Sequence, residues 1–505
     1  MAAEIELKFA LPESTAAAFV DQPLIARLAQ GPYRRRRMVN TYYDTPALDL
    51  FKAGLSLRVR AVGGRNLLSV KAGENPALGA RARAEWEGPL AGAWPDLAAI
   101  DDRRLQKRVQ KAVGDAGLQP VFRTEIQRRT RRLGFKDSIV ELAVDRGLIR
   151  AGERKRAVSE IELELVEGRP VRLFELAQRL RKRMELVPET ESKSDRGYRL
   201  AADRPPAARR APPVELDPAM TAGQAFAVIA RGALWQMRVN APIAQDGRDI
   251  EGVHQLRVGL RRLRALLALF RSRLPAARLE RLRPALRRLQ NLLGPARDWD
   301  VLIARVLRPI AGKRAADRGL RAFRAAAEER RERAYARLRR SLERPGFQRL
   351  MLATEAWVER MALRRELAAE EARERARRIL RKRDRKLRRL GENLAKLSDG
   401  ERHQFRIEAK KLRYAAEFFR SLYDEAAARA YIAALAAIQD RLGALNDAAM
   451  VKTLRRELEE SGFEPSPKAA GLIDGWVMAH IAIDMDGLEA DWAKFLAAPR
   501  FWRAD

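Results

Sequence analysis

The chain has 505 residues, 47% of them hydrophobic, enough for two or three domains with cores of their own. It has no cysteine, which excludes disulfides, thiolate metal sites and thiol nucleophiles. Lys and Arg number 101 against 67 acids, a formal charge of +34, which favours a polyanionic partner: nucleic acid, an acidic membrane or polyphosphate.

The opening "MAAEIELKFA" has acids where a secretory signal needs bases. No run of about 18 uncharged apolar residues occurs either, so no membrane span is expected. A cytoplasmic protein is the expectation. Within that opening, "EIELKF" (4–9) alternates charged and apolar residues, the pattern of a strand with Glu4, Glu6 and Lys8 on one face. "LPESTAAAFVDQPLIARL" then has helical spacing. The strand pattern returns in "LSLRVR", "NLLSVK", "RAEWE", "IVELAVD" and "SEIELEL", with turns such as "VGGRN" between strands. "RLFELAQRLRKRMEL" is helical again. A largely antiparallel sheet with helices is predicted.

The charged faces of these strands are Glu4/Glu6/Lys8, Arg58/Arg60, Arg83/Glu85/Glu87, Glu141/Asp145 and Glu160/Glu162/Glu164. One such face would normally meet solvent. Five of them, acids on some strands and arginines on others, predict the lining of a shared polar cavity, with apolar faces turned outward beneath helices. Carboxylates gathered there need divalent cations or basic partners. Mg²⁺ takes oxygen ligands and substrate phosphate, and guanidinium groups grip phosphate oxygens. Phosphoryl transfer is the chemistry that suits both.

These segments resemble the CYTH, or triphosphate tunnel metalloenzyme, superfamily. "EIELKF" is similar to its E-x-E-x-K signature, and "NTYYDTPALDLFKAGLSLRVR", "LLSVK", "SEIELEL" and "ESKSDRGYRL" to its later blocks. The resemblance spans roughly residues 2–200. It implies an antiparallel tunnel barrel that binds triphosphate and needs Mg²⁺ or Mn²⁺. It also implies Glu4, Glu6, Glu160 and Glu162 as metal-facing acids, with Glu85, Glu87, Asp145 and Glu164 as support or further ligands. Lys8, Arg58, Arg60, Lys71, Arg83, Arg128 and Lys193 would hold phosphates, and Glu4, Glu6 and Lys8 would be central to catalysis. "FRTEIQRRTRRL" leaves Arg123, Arg129 and Arg131 open as alternatives to Arg128. Trp86 alternates with Glu85 and Glu87 and should point away from the cavity, while Tyr42 and Tyr43 read as packing residues. A substrate that is all phosphate follows from the lack of an aromatic shelf.

Residues 204–218 are proline-rich and read as a stiff, exposed linker between a domain at 1–203 and another at 219–505. Residues 1–203 hold 38 bases and 28 acids, so most of the positive excess lies beyond them. There the pattern becomes long Ala/Leu/Arg helices with an internal repeat. "HQLRVGLRRLRALLALFRS" (254–272) recurs as "HQFRIEAKKLRYAAEFFRS" (403–421), and "LQNLLGPARDWD" (289–300) aligns with "IQDRLGALNDAA" (438–449), both at an offset of 149. The fold class expected is therefore α+β: a β tunnel barrel with helices, then an all-α domain of two repeated bundles, about 219–367 and 368–500.

On a helix, His254, Arg257, Arg261 and Arg264 fall within about 80° of arc, beside an apolar face of Leu256, Leu260, Leu263 and Leu267. His403, Arg406, Lys410 and Arg413 repeat that basic stripe. Such a stripe presents donors to a chain of phosphates. Asp298 and Asp447 read as helix N-caps after a glycine terminator, and His480, among apolar residues, as structural. The run 373–390 carries charge with no single face, the pattern of a solvated helix. The repeats resemble the CHAD domain, an α-helical domain associated with polyphosphate binding; the resemblance covers about residues 219–500 and implies those eight stripe residues as contacts.

The combined expectation is a Mg²⁺-dependent inorganic triphosphatase with a polyphosphate-binding helical domain, cytoplasmic and associated with polyphosphate granules. Adenylate cyclase or organic triphosphatase activity on the same fold is the alternative. Non-catalytic nucleic-acid binding is a third class, opposed by 6% aromatic content and few aromatics within the basic runs.

Overall fold

A computed structural model describes residues 5–75, 82–184, 186–313, 317–485 and 487–503. The chain divides into two units: residues 1–207 with 348–360, and residues 208–347 with 361–505.

The first unit is built on nine strands: β1 (Glu6–Ala10), β2 (Arg34–Asp44), β3 (Leu55–Val62), β4 (Arg65–Asn75), β5 (Ala82–Leu90), β6 (Gln119–Phe135), β7 (Ser138–Ala151), β8 (Arg154–Glu167) and β9 (Val187–Pro188). They form one antiparallel sheet in the order β5-β4-β3-β2-β6-β7-β8-β1-β9. The sheet curls so that β1 and β5, seven places apart in that order, line one cavity. Among the described residues no pairing joins its two ends, so the barrel closes around a cavity without a closed ladder.

Five helices cover its outside: α1 (Glu13–Val20), α2 (Pro23–Leu28), α3 (Asp49–Lys52), α4 (Arg103–Val113) and α5 (Pro170–Arg181), while a sixth, α6 (Lys193–Ala201), packs Tyr198 on the inner-face residues Tyr42, Phe122, Ile126, Ile149 and Val158. The apolar strand faces turn outward beneath them. Leu7, Phe9, Leu142, Val144, Ile161 and Leu163 pack on Phe19, Leu173, Leu176 and Leu180. Leu57, Val59, Leu68 and Val70 pack on Ile100 and Val109. Full burial of each such side chain contributes about 1.5–3 kcal/mol, and this inversion leaves the charged faces to line the interior. Residues 348–360 group with this unit although they were expected in the second domain; Leu352 and Ala356 join its core, and Gln178 Nε2 donates to Leu352 O at 3.1 Å.

The second unit is helical: α7 (Ala222–Asp246), α8 (Ile250–Leu269), α9 (Ala276–Val301), α10 (Arg308–Lys313), α11 (Arg318–Glu343), the ends of α12 (Pro345–Ala362), α13 (Arg365–Ala368), α14 (Ala372–Leu390), α15 (Asp399–Phe419), α16 (Glu425–Glu459), α17 (Pro467–Met485) and α18 (Leu488–Ala497). The repeat is α7–α8–α9 against α14–α15–α16, whose helices start 150, 149 and 149 residues apart. Its halves meet reciprocally. Ala222 N donates to Glu370 O (2.7 Å) and Ala372 N to Met220 O (2.9 Å), and the equivalent rings Phe270 and Phe419 lie 6.4 Å apart. Equivalent positions touching each other is the signature of a two-fold relation between the halves.

Three sequence expectations change here. The proline-rich segment is not wholly exposed: from residue 208 it is tied to the helical unit by Arg209 N to Asn240 Oδ1 (2.9 Å) and Leu216 N to Ser421 Oγ (2.7 Å), with Val214 and Leu216 buried. Asp298 is no cap, because α9 runs straight through Gly294, and α16 likewise runs through Gly443; the Asp447 side chain lies outside the described ones. Finally, α14 does have two faces, since Ala376, Ile379, Leu380 and Leu387 form a buried stripe beneath the arginines.

Candidate functional site

Strand alternation delivers the site. Glu160, Glu162 and Glu164 on β8 share one face, and register sets Asp145 against Glu160 on one side and Arg128 on the other. On β1, Lys8 lies opposite Glu162 and Glu6 opposite Glu164. All of these point inward, since Ile161 and Leu163 between them are buried in the outer core. Of these, Glu6, Lys8, Arg128 and Glu162 line a cavity with a volume of about 270 Å³.

Its acidic side is a dense ion-pair network. Arg128 grips Asp145 through Nε (2.7 Å) and Nη2 (2.6 Å) and also pairs with Glu162. Lys193, at the start of α6, reaches Asp145 (2.6 Å), Glu162 (3.0 Å) and Glu160. Lys8 bridges Glu162 (2.7 Å) and Glu6 (3.2 Å). Burial pushes the carboxyls of Glu160 and Glu162 up, but their cationic neighbours prevail. Lys193 and Arg196 hold Glu160 at about 2, and Arg128, Lys193 and Lys8 hold Glu162 well below the usual carboxylate range. Burial works against the charge on Lys193 too, and the three carboxylates still raise its pKa. Both glutamates are therefore anionic at neutral pH.

The opposite wall is basic. Arg58 and Arg60 on β3 and Lys71 on β4 line the cavity. Glu85 accepts from Arg58 (2.8 Å) and Lys71 (2.6 Å), and Glu87 pairs with Arg60 (3.0 Å). These two acids, expected as support or further metal ligands, pair here with the cations of the basic wall. The Nε of Arg58 is buried and makes no hydrogen bond among the described residues.

Glu164 sits half-buried in register with Glu6 and Glu141, outside the compact acidic cluster. Glu4 lies outside the described residues, as does the side chain of Arg83. Of the arginines left open, Arg128 shares the inward parity of the strand, whereas Arg123, Arg129 and Arg131 take the other face. Trp86 packs on the outer core and its Nε1 bonds to Asp101.

Four contributors escaped the sequence reading. Asn40 and Tyr42 line the cavity; their parity within "NTYYDT" was the available signal. Tyr42 was taken for packing, yet only its ring face packs, stacked on Phe122 at 4.3 Å, while its hydroxyl meets Arg58 Nη1 at 3.5 Å. Arg196, one turn after Lys193, pairs with Glu160. Ser192 caps α6 by accepting from Asp195 N at 3.0 Å and so positions Lys193.

The carboxylates of Asp145, Glu160 and Glu162 each place an oxygen within 4.8 Å of the others. An oxygen-only donor set of this kind suits a hard divalent cation. The cluster is a possible acidic metal site, with basic side chains already compensating its charge.

The helical unit brings its two basic stripes together. His254, Arg257, Arg261 and Arg264 lie on α8, and His403, Arg406, Lys410 and Arg413 on α15. Lys410 is pushed down to about 8 by burial and by Arg406, Arg261, Arg413 and Arg257, so cations of both helices act on it. Burial, together with Arg297, Arg261 and Arg305, pushes His254 to about 4. Arg257 is held by Asp298 at 3.2 Å and Arg413 by Glu417 at 3.4 Å. His403 is exposed. His480, expected among apolar residues, is also exposed, its ring tilted against that of Trp476 at 4.3 Å with Nδ1 2.8 Å from Trp476 O.

A curled antiparallel sheet lined by carboxylates and cations, with a duplicated basic helical unit, is the CYTH-plus-CHAD arrangement. Residues 2–198 match the CYTH domain model and residues 228–456 the CHAD domain model. The helical part is 32% identical to the CHAD domain from the plant Ricinus communis, with a TM-score of 0.51, covering 58% of this chain and 99% of that one. The chain belongs to the CHAD family through its helical half and carries a CYTH domain ahead of it. It is also 31% identical to an inorganic triphosphatase of Haemophilus influenzae over 204 residues, 40% of this chain and 56% of that one. An uncharacterized Mycobacterium tuberculosis protein is 28% identical over 318 residues, 59% of this chain and 58% of that one. The chain thus spans little more than half the length of these curated relatives.

Proposed function

We propose that the CYTH unit hydrolyses inorganic triphosphate to pyrophosphate and phosphate, and that the CHAD unit binds polyphosphate along its facing stripes. The observation that carries the first part is a single 270 Å³ cavity with Arg58, Arg60 and Lys71 on one side and Glu6 and Glu162 on the other. The triphosphatase relative supports the same reading.

Arg58, Arg60 and Lys71 bind the phosphate oxygens and neutralise the charge that builds up on the leaving pyrophosphate. Arg128, Lys193 and Lys8 keep the acidic side ionised and fixed in place. Water attacks the terminal phosphorus: one P–O bond forms, the bond to the bridging oxygen breaks with its electron pair leaving on pyrophosphate, and the proton of the attacking water passes to solvent. Mg²⁺ or Mn²⁺, held by Glu6 with Asp145, Glu160 and Glu162, would supply further charge neutralisation. Among the described residues that line the cavity, the one aromatic ring is Tyr42, which is stacked on Phe122, and Trp86 packs outside. This argues against a cyclase or an organic triphosphatase.

The stripes support the second part: two basic helix faces close enough to depress Lys410 form a site that an anionic chain would relieve. A phosphate-release panel of tripolyphosphate, ATP, thiamine triphosphate and long polyphosphate, with and without Mg²⁺ or Mn²⁺, tests the enzyme. Metal-dependent turnover of tripolyphosphate far above that of ATP is expected. Equal ATP hydrolysis, or a cyclic product, overturns it.

A further inference from the structure

The strand β2 opens with four consecutive arginines, Arg34 to Arg37, all exposed. Four cations at the start of one inner strand of this sheet need a reason. Downstream on the same strand Met38, Asn40 and Tyr42 line the cavity, and the register with β6 is unbroken from Arg34 to Tyr42. Strand alternation therefore puts Arg34 and Arg36 on the inner face and Arg35 and Arg37 on the outer one. Arg36 lies directly opposite Arg128, the arginine whose own charge is taken up by Asp145 and Glu162. Like charges directly opposite on one face destabilise a sheet. Among the described residues neither Arg34 nor Arg36 has an acidic partner to relieve this, and the acids of the interior are paired with other cations, Asp145 and Glu162 with Arg128 and Glu85 and Glu87 with Arg58, Arg60 and Lys71.

We infer that Arg34 and Arg36 form an outer anion subsite that continues the phosphate track beyond the cavity. This rests on the reading that the cavity takes linear phosphate. The ligand it adds is the extra phosphate of chains longer than three units, with linear tetraphosphate the shortest. An anion there supplies the counter-charge that Arg36 lacks beside Arg128, and a triphosphate seated on Arg58, Arg60 and Lys71 leaves the subsite empty.

The test compares Arg34→Ala/Arg36→Ala with Arg35→Ala/Arg37→Ala in the full chain at low ionic strength. Both remove two charges from one strand, and the helical stripes are common to both. The expected result is that the inner-face pair raises KM for tetraphosphate about tenfold while KM and kcat for tripolyphosphate stay within about twofold. The outer-face pair should change neither. Equal effects of the two pairs, or an equal loss on tripolyphosphate, would overturn the subsite. Calorimetric binding of tetraphosphate without metal repeats the comparison independently of turnover. Absence of any hydrolysis would sink the enzyme reading alone, and indistinguishable affinities of the two variants would sink the subsite alone.

Discussion

Lys410 gives the proposed polyphosphate site a proton signature. Its ammonium is held at about 8 instead of 10.5 by burial and the surrounding arginines. A phosphate chain laid along the stripes opposes both causes and should restore an ordinary value. At pH 8 half of the free protein then lacks this proton while the complex keeps it, so binding takes up about half a proton. Between pH 9 and pH 7 the same linkage strengthens binding about tenfold. The sign is fixed: affinity rises as pH falls, because the bound state has the higher pKa. For the free protein the depressed value means the charged form is disfavoured in the fold, so Lys410 lowers stability below pH 8 and ceases to do so above 10.5. Calorimetric titration with polyphosphate in two buffers of different ionisation enthalpy reads the uptake directly. Lys410→Arg, which stays charged, should abolish the uptake and flatten the pH profile while preserving affinity at pH 7. Wild-type binding with no proton uptake at pH 8, or uptake unchanged in Lys410→Arg, would refute the placement of the chain.

Glu6→Gln should lower metal-dependent triphosphate hydrolysis about 100-fold with an unchanged melting temperature, since Lys8 keeps Glu162 as a partner; full activity would remove Glu6 from the site. Glu160→Gln removes one of three carboxylates around Lys193 and leaves Arg196 with Glu189 alone, and urea unfolding should show a loss of about 1–3 kcal/mol. Because Glu160 is held at about 2, its contribution is fully present above about pH 4.5 and disappears as pH falls toward 2, so acid unfolding of the wild type should fall in that window and the variant should lack its part of it. Neutralising Arg257, Arg261 and Arg264 should weaken polyphosphate binding and reduce its salt dependence. Neutralising the exposed Arg377, Arg381 and Arg385 of α14 should do so far less; equal losses measured by salt titration would reduce the site to diffuse charge.

Much of this was legible in sequence because period-2 alternation is a local property. "EIELKF" and "SEIELEL" fix their own inner faces, and the repeat at an offset of 149 announces two equivalent helices without any structure. The strands β2 and β6 were harder, since runs such as "RRRRMVN" and "RRTRRL" carry arginines on both faces and hide their parity. Which acid meets which cation was invisible, because those pairs are set by register between strands that lie far apart in the chain. Only the fold decides that Glu85 and Glu87 serve Arg58, Arg60 and Lys71, whereas Asp145, Glu160 and Glu162 gather around Lys193 and Arg128. The approach of the two basic stripes is likewise a tertiary fact, fixed by the reciprocal contacts of the duplicated halves. Side-chain type and spacing determine what chemistry a face can offer. Distance and burial, which set Coulomb energy and pKa, come only from packing.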